Sequence, residues 1–317
     1  MANRVFVAAI VMLWLSSMTW LFIERIFPSF LPGQPPLEET YKQNEVVAWS
    51  VQWGGDSLGY AASVCTEGVE GTTELHNRIF LENAPLMDLA PAWMRHVVGE
   101  IGKVSFDAVT RIEFDSLDNF SAFDTRINLN EMPSVLVMSG RMNDSYLDLK
   151  IRTGGIPYST PVYLPDKKAL SEALFPEAKL PQMYVGRVWR EEVFSPFHSP
   201  SEPVEIIQAE VVSEETMEHQ GKIRRVMRVE YRGMVGSGVP KNARIQAVSW
   251  VEPDGMVLRH DFFVGRSVMR FERLSDDEAA KIGAELFERQ IRQGIELEMP
   301  DQPADLNPED LLIVPAA

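Results

Sequence analysis

Any chemistry in this 317-residue chain must be assembled from five histidines, one cysteine and a surplus of carboxylates. His76, His96, His198, His219 and His260 are far apart in sequence and form no HxxxH, HxH or HExxH pattern, so no metal site is expected. Cys65 stands alone, which excludes an intramolecular disulfide framework and a cysteine-rich zinc site; within the β-prone run Tyr60–Cys65 it reads as a small buried hydrophobe. No GxSxG elbow occurs, the Gly236–Gly238 stretch reads as a loop, and no glycine-rich phosphate cradle precedes a helix. Carboxylate pairs exist, Asp115 with Asp118 and Glu191 with Glu192, but 46 acidic residues produce such pairs by chance. No catalytic residue and no cofactor are expected.

Two stretches remain. In Ser249–Gly265, Pro253-Asp254-Gly255 marks a tight turn between two apolar arms, a hairpin signature. On the outgoing arm, alternation places Met256, Leu258 and His260 on one face and Val257, Arg259 and Asp261 on the other. Neighbours on a strand cannot form a direct His–Asp pair, so His260 is expected to be a partly buried strand residue. The second stretch, Lys222–Arg228, is basic in an acidic chain. Lys222, Arg224 and Arg228 share one strand face, while Arg225 falls among Ile223, Met227 and Val229 and would need a carboxylate or ligand if buried. The cluster reads either as a solvated face that discourages edge pairing or as a local anion or partner site. Lys222, Arg224, Arg225, Arg228 and His260 are the candidate ligand- or partner-binding residues.

The elements that must position these residues are mostly strands. Period-two alternation in Arg111–Phe114, Tyr146–Ile151 and Arg225–Tyr231 predicts antiparallel strands with one wet face. Turn signals at Gly54-Gly55, Gly154-Gly155, Gly236–Gly238 and Pro253–Gly255 separate them. Helices are predicted at Leu86–Gly102, where Leu89, Trp93, Val97 and Ile101 form a stripe, at Asp166–Leu174, and after Ser275. There Ser275 and Glu278 form a capping box, Ala279, Ile282, Leu286 and Ile291 face inward, and Gly294 stops the helix. The expected class is α+β, a curved half-barrel-like meander with helices on one face. Its parts are an anchor 1–27, a Pro-rich linker 28–45, a first β-unit 46–155, a connector 156–182, a second β-unit 183–294 and an acidic tail 295–317. Weak similarity between Arg111–Asp124 and Val248–Asp261 is compatible with two related units, or with two hairpins merely looking alike.

Val5–Ile23 is uncharged over a length that suits a bilayer core of about 30 Å, so it is expected to cross a membrane as a single helix. Arg4 before it and Glu24 and Arg25 after it favour an inside N-terminus and an extracytoplasmic body anchored at the inner membrane. A formal charge of −16 argues against nucleic-acid binding, which needs Lys and Arg to neutralise phosphates.

The phrases Gly186–Trp189 ("GRVW") and Trp250–Leu258 ("WVEPDGMVL") give the body a resemblance to the LolA/LolB-like, lipoprotein-carrier half-barrels. The resemblance implies a non-enzymatic module that holds a hydrophobic ligand or a protein partner in a curved sheet. It carries over no functional residue. The alternative from another class is an extracytoplasmic hydrolase whose active-site residues are scattered among strands. A polar cleft with converging titratable groups would favour it.

Overall fold

The computed structural model describes residues 2–21, 44–68, 71–85, 103–117, 119–130, 132–153, 156–163, 171–172, 175–194, 204–233, 244–264 and 267–292. Helix α1 spans Ala2–Leu21. The strands are β1 (Val46–Trp53), β2 (Asp56–Glu67), β3 (Thr73–Pro85), β4 (Lys103–Phe114), β5 (Phe120–Leu129), β6 (Met132–Asn143), β7 (Tyr146–Thr153) and β8 (Ile156–Tyr163). They continue with β9 (Ser171–Glu172), β10 (Val188–Phe194), β11 (Val204–His219), β12 (Lys222–Gly233), β13 (Ile245–Val251), β14 (Val257–Val264) and β15 (Ser267–Arg273), before helix α2 (Asp276–Arg292).

All fifteen strands belong to one sheet, ordered β8-β7-β6-β5-β4-β3-β2-β1-β15-β14-β13-β12-β11-β10-β9. Every pairing is antiparallel except β9 with β10. The chain meanders outward from β1 to one edge, crosses to the other edge, and meanders back until β15 pairs with β1. Laid flat at about 4.8 Å per strand, the edges would be about 67 Å apart. Yet only seven residues, 164–170, join β8 to β9, a reach of at most about 29 Å. The sheet therefore curls until its edges approach, a barrel-like form.

Curling gives the two faces different chemistry, which is why the sequence alternates. The inner face is the core, with Phe271 opposite Val51, Val51 opposite Gly59, Gly59 opposite Leu81, Leu81 opposite Phe106, and Phe106 opposite Leu129. Trp49, Val51, Phe120, Leu147, Leu149, Leu180 and Phe271 are wholly buried within it. Gly59 is required because a Cβ there would lie 2.1 Å from the Phe80 carbonyl oxygen. The outer face is a lattice of cross-strand ion pairs, such as Arg78 with Asp107 (2.9 Å) and Arg111 with Asp124 (3.2 Å).

After β9, residues 175–187 strap the sheet on the side of the β13–β14 turn. Leu180 donates its N–H to the Gly255 carbonyl (2.7 Å), and the Ala178 carbonyl accepts from Val257 N–H and from Arg273 Nη1. Gly255 adopts φ +94°, and a Cβ there would meet Leu180 O at 2.6 Å, so the turn and the strap both demand glycine. Gly186, at φ +91°, turns the strap into β10 and delivers Trp189 edge-on to Tyr231 on the inner face.

Helix α2 begins as its capping box predicts: Ser275 N–H and Oγ both donate to Glu278 Oε2 (3.2 and 2.6 Å). It lies on β1 and β2 through Ala279, which packs with Ala48, Ala62 and the partly buried Val46, Phe80, Leu274 and Ile282. Gly283 permits this approach, since a Cβ would sit 2.7 Å from Val46 Cγ1.

Two expectations change. The class is nearly all-β rather than α+β, because among the described residues only α1 and α2 are helical. The spanning anchor at Val5–Ile23 is corrected: α1 takes in Asn3 and Arg4 at one end and Ser16, Ser17 and Thr19 near the other. Among the described residues no helix is long and apolar enough to cross a membrane. The helix expected at Leu86–Gly102 lies outside the described residues. That at Asp166–Leu174 does too, except for Ser171–Glu172, which pair with β10 as a strand. Strands from 46–155 and from 183–294 share the one sheet, and 156–182 supplies β8, β9 and most of the strap.

Candidate functional site

The hairpin at Ser249–Gly265 forms as read: Glu252 N–H donates to Met256 O (2.8 Å) and Gly255 N–H to Glu252 O (2.9 Å). A register shift leaves Leu258 as an extra residue in β14, so Val257 turns to the inner face opposite Val251 rather than sharing a face with Arg259. His260 and Asp261 do point to opposite sides. His260 is half-buried on the inner face, between the Tyr231 and Phe271 rings, with Nδ1 2.8 Å from Ser249 Oγ. Desolvation lowers its pKa to about 4, against the opposing pull of Asp261. Asp261, on the outer face, accepts from Arg259 and Arg270. Burial raises its pKa, but the two guanidiniums outweigh that and hold it below the ordinary value. A Ser–His contact thus exists, but the adjacent carboxylate is on the other side of the sheet and engaged by two arginines. Triad chemistry needs that carboxylate on the imidazole.

The basic cluster lies on the longest hairpin, β11–β12, which bends at a register shift between Val211 and Ser213. Beyond the bend its tip folds over the outer face of β13–β15. Gln220 Nε2 donates to Arg273 O (3.3 Å), Trp250 Nε1 donates to Glu215 Oε2 (3.3 Å), and His219 Nδ1 lies 3.6 Å from Glu272 Oε1. Arg224 reaches Glu252 (3.3 Å), and Arg225, exposed, grips Glu214 with both arms of its guanidinium. Arg228 sits over the Trp250 ring, beside Glu230 (3.1 Å). Lys222 is exposed at the turn, opposite His219. Carboxylates from β11, from β12 itself and from the β13–β14 turn therefore meet three of the four cations, and His260, on the inner face, is not brought to the cluster.

Sequence reading did not anticipate a cleft of about 650 Å³ beside the β1–β2 turn. The turn needs Gly54 and Gly55 at φ +59° and +101°. It sets Trp53 and Asp56 side by side across the end of the hairpin. Register places Tyr60 opposite Phe80, and the bulge in β3 between Leu81 and Ala84, with Asn83 at φ +56°, re-aims the chain around Glu82. Trp53, Leu58, Tyr60 and Phe80 form apolar walls, and Asp56 and Glu82 supply exposed carboxylates. These residues come from stretches about twenty apart in the chain, so the only sequence signal is that both lie on neighbouring strands of one meander. Among the described residues no group of three or more metal-ligating side chains occurs.

No family model matches the chain, and no curated protein matches it. Among solved structures, it is similar to a β-barrel-like protein of a domain of unknown function, DUF1849, from Brucella abortus. That match has 8% identity and a TM-score of 0.46, and covers 74% of this chain and 98% of that one. It is also similar to a protein described as exported, with a YmcC-like fold, from Bacteroides fragilis NCTC 9343, at 9% identity and TM-score 0.22, over 74% of this chain and 97% of that one.

Proposed function

We propose that this protein is a non-enzymatic, extracytoplasmic binding module of the half-barrel kind, which takes a ligand with a hydrophobic body in the cleft beside the β1–β2 turn. The observation that carries this reading is a division of apolar surface. The inner face of the sheet is packed by its own side chains, whereas at the cleft Tyr60 is exposed and Trp53 and Phe80, packed on the core and on α2, are only partly covered. A concave site with aromatic walls and a few polar groups is the usual form of a small-molecule site. That Asp261, the carboxylate next to His260, lies on the opposite face and is held by Arg259 and Arg270 supports the non-enzymatic part.

The test uses the full chain and an octyl amphiphile brominated at its tail, since bromine quenches indole emission on contact. Saturable quenching is expected in the wild type, with the component lost in Trp53→Phe. Quenching that is linear in concentration, or unchanged by Trp53→Phe, would overturn the reading.

A further inference from the structure

The cleft has a charge character that selects among hydrophobic ligands. Its lining includes three aromatic side chains, Trp53, Tyr60 and Phe80, together with two carboxylates, Asp56 and Glu82, and among the described residues no Lys or Arg lines it. Other carboxylates of the sheet are matched across strands, among them Glu214 by Arg225 and Asp107 by Arg78. Asp56 and Glu82 have no ion-pair partner among the described residues. An anionic ligand would bring a third negative charge into a cleft with nothing to neutralise it, on a chain of net charge −16. A quaternary ammonium satisfies both sets of groups at once. Its diffuse charge favours aromatic faces, its methyl groups tolerate desolvation, and its positive charge meets the carboxylates at the rim.

We infer that the ligand of this cleft is an organic cation: an alkylammonium whose head lies against Trp53, Tyr60 and Phe80 within reach of Asp56 and Glu82. This deepens the binding reading above and rests on it. Exposure of both carboxylates means that removing them costs the fold little, so the charge can be tested separately from the walls.

The experiment measures affinities of the full chain, in physiological salt, for three probes of equal chain length: octyltrimethylammonium, octyl glucoside and octyl sulfate. The cation is expected to bind roughly tenfold more tightly than the neutral glucoside, with the sulfate weakest. The double variant Asp56→Asn/Glu82→Gln is expected to remove most of that preference while leaving the glucoside affinity unchanged. The charge-matched control Asp144→Asn/Asp148→Asn, on exposed positions in the β6–β7 turn and on β7, should keep the preference, which separates a local site from attraction to the acidic surface as a whole. Equal or tighter binding of the glucoside, or a preference that survives in the cleft variant or vanishes in the control, overturns the inference and leaves the hydrophobic-ligand reading standing. Binding of none of the three overturns both.

Discussion

His260 offers a quantitative test of how the inner face is built. In the fold its pKa is lowered to about 4, whereas an unfolded chain titrates near the ordinary 6.5. Between those values the unfolded chain binds a proton that the native one does not, so acid favours unfolding. The stabilisation from keeping His260 neutral is present above about pH 6.5 and is lost as pH falls toward 4. At about 1.4 kcal/mol per tenfold change, the whole loss is about 3 kcal/mol, of which about 2 kcal/mol has gone by pH 5. Urea unfolding at pH 7.5 and pH 5 would be compared for Ser249→Ala and for Ser249→Ala/His260→Phe. The second substitution keeps a ring between Tyr231 and Phe271, and the shared alanine avoids leaving the Ser249 hydroxyl without its partner. His76 and His219, whose pKa values desolvation also lowers, contribute with the same sign to both proteins and cancel in the comparison. The protein retaining His260 should lose about 2 kcal/mol more on going to pH 5. Equal losses would mean that the imidazole is well solvated, and a smaller loss with His260 present would place a carboxylate on its side of the sheet.

Other expectations follow from single contacts. Asp107→Ala takes the bidentate carboxylate away from the Arg78 guanidinium, only 2% exposed, and should cost about 3 kcal/mol in urea unfolding, with Arg78→Met/Asp107→Leu recovering most of it. Gly140→Ala would bring a Cβ to 2.4 Å from Phe123 Cε1 and 2.8 Å from Leu147 Cδ1. A loss of about 1–3 kcal/mol is expected, and Phe123→Leu should partly relieve it, visible as non-additivity in a double-mutant cycle. Ser275→Ala removes the cap of α2 and should cost about 1 kcal/mol by the same assay.

Strands, hairpin and the last helix were legible because each rests on local chemistry. Alternation marks β4, β7 and β12, Pro253-Asp254-Gly255 bends the chain at the turn, and Ser275 with Glu278 starts α2. The opposition of His260 and Asp261 was legible too, since it depends only on strand geometry. What lay beyond reach was long-range register. Val257 changes face because Leu258 is an extra residue between two pairings, which no periodicity reveals. The folding of the β11–β12 tip over β13–β15, which brings Arg224 to Glu252 and Trp250 to Glu215, depends on a bend at Val211–Ser213. The cleft exists only once β3 lies beside β2 with Phe80 opposite Tyr60. The span expected at Val5–Ile23 rests on the absence of charge alone, and among the described residues no helix is long and apolar enough to cross a membrane.

The central claim is that the inner face is core and that ligand is taken outside it, beside the β1–β2 turn. Hydrogen–deuterium exchange of the full chain, with and without saturating octyltrimethylammonium below its micelle concentration, tests this most directly. Protection should appear at 53–60 and 80–85 and leave β4 to β7 unchanged; protection centred on β4 to β7 would instead place the ligand within the sheet and contradict the account.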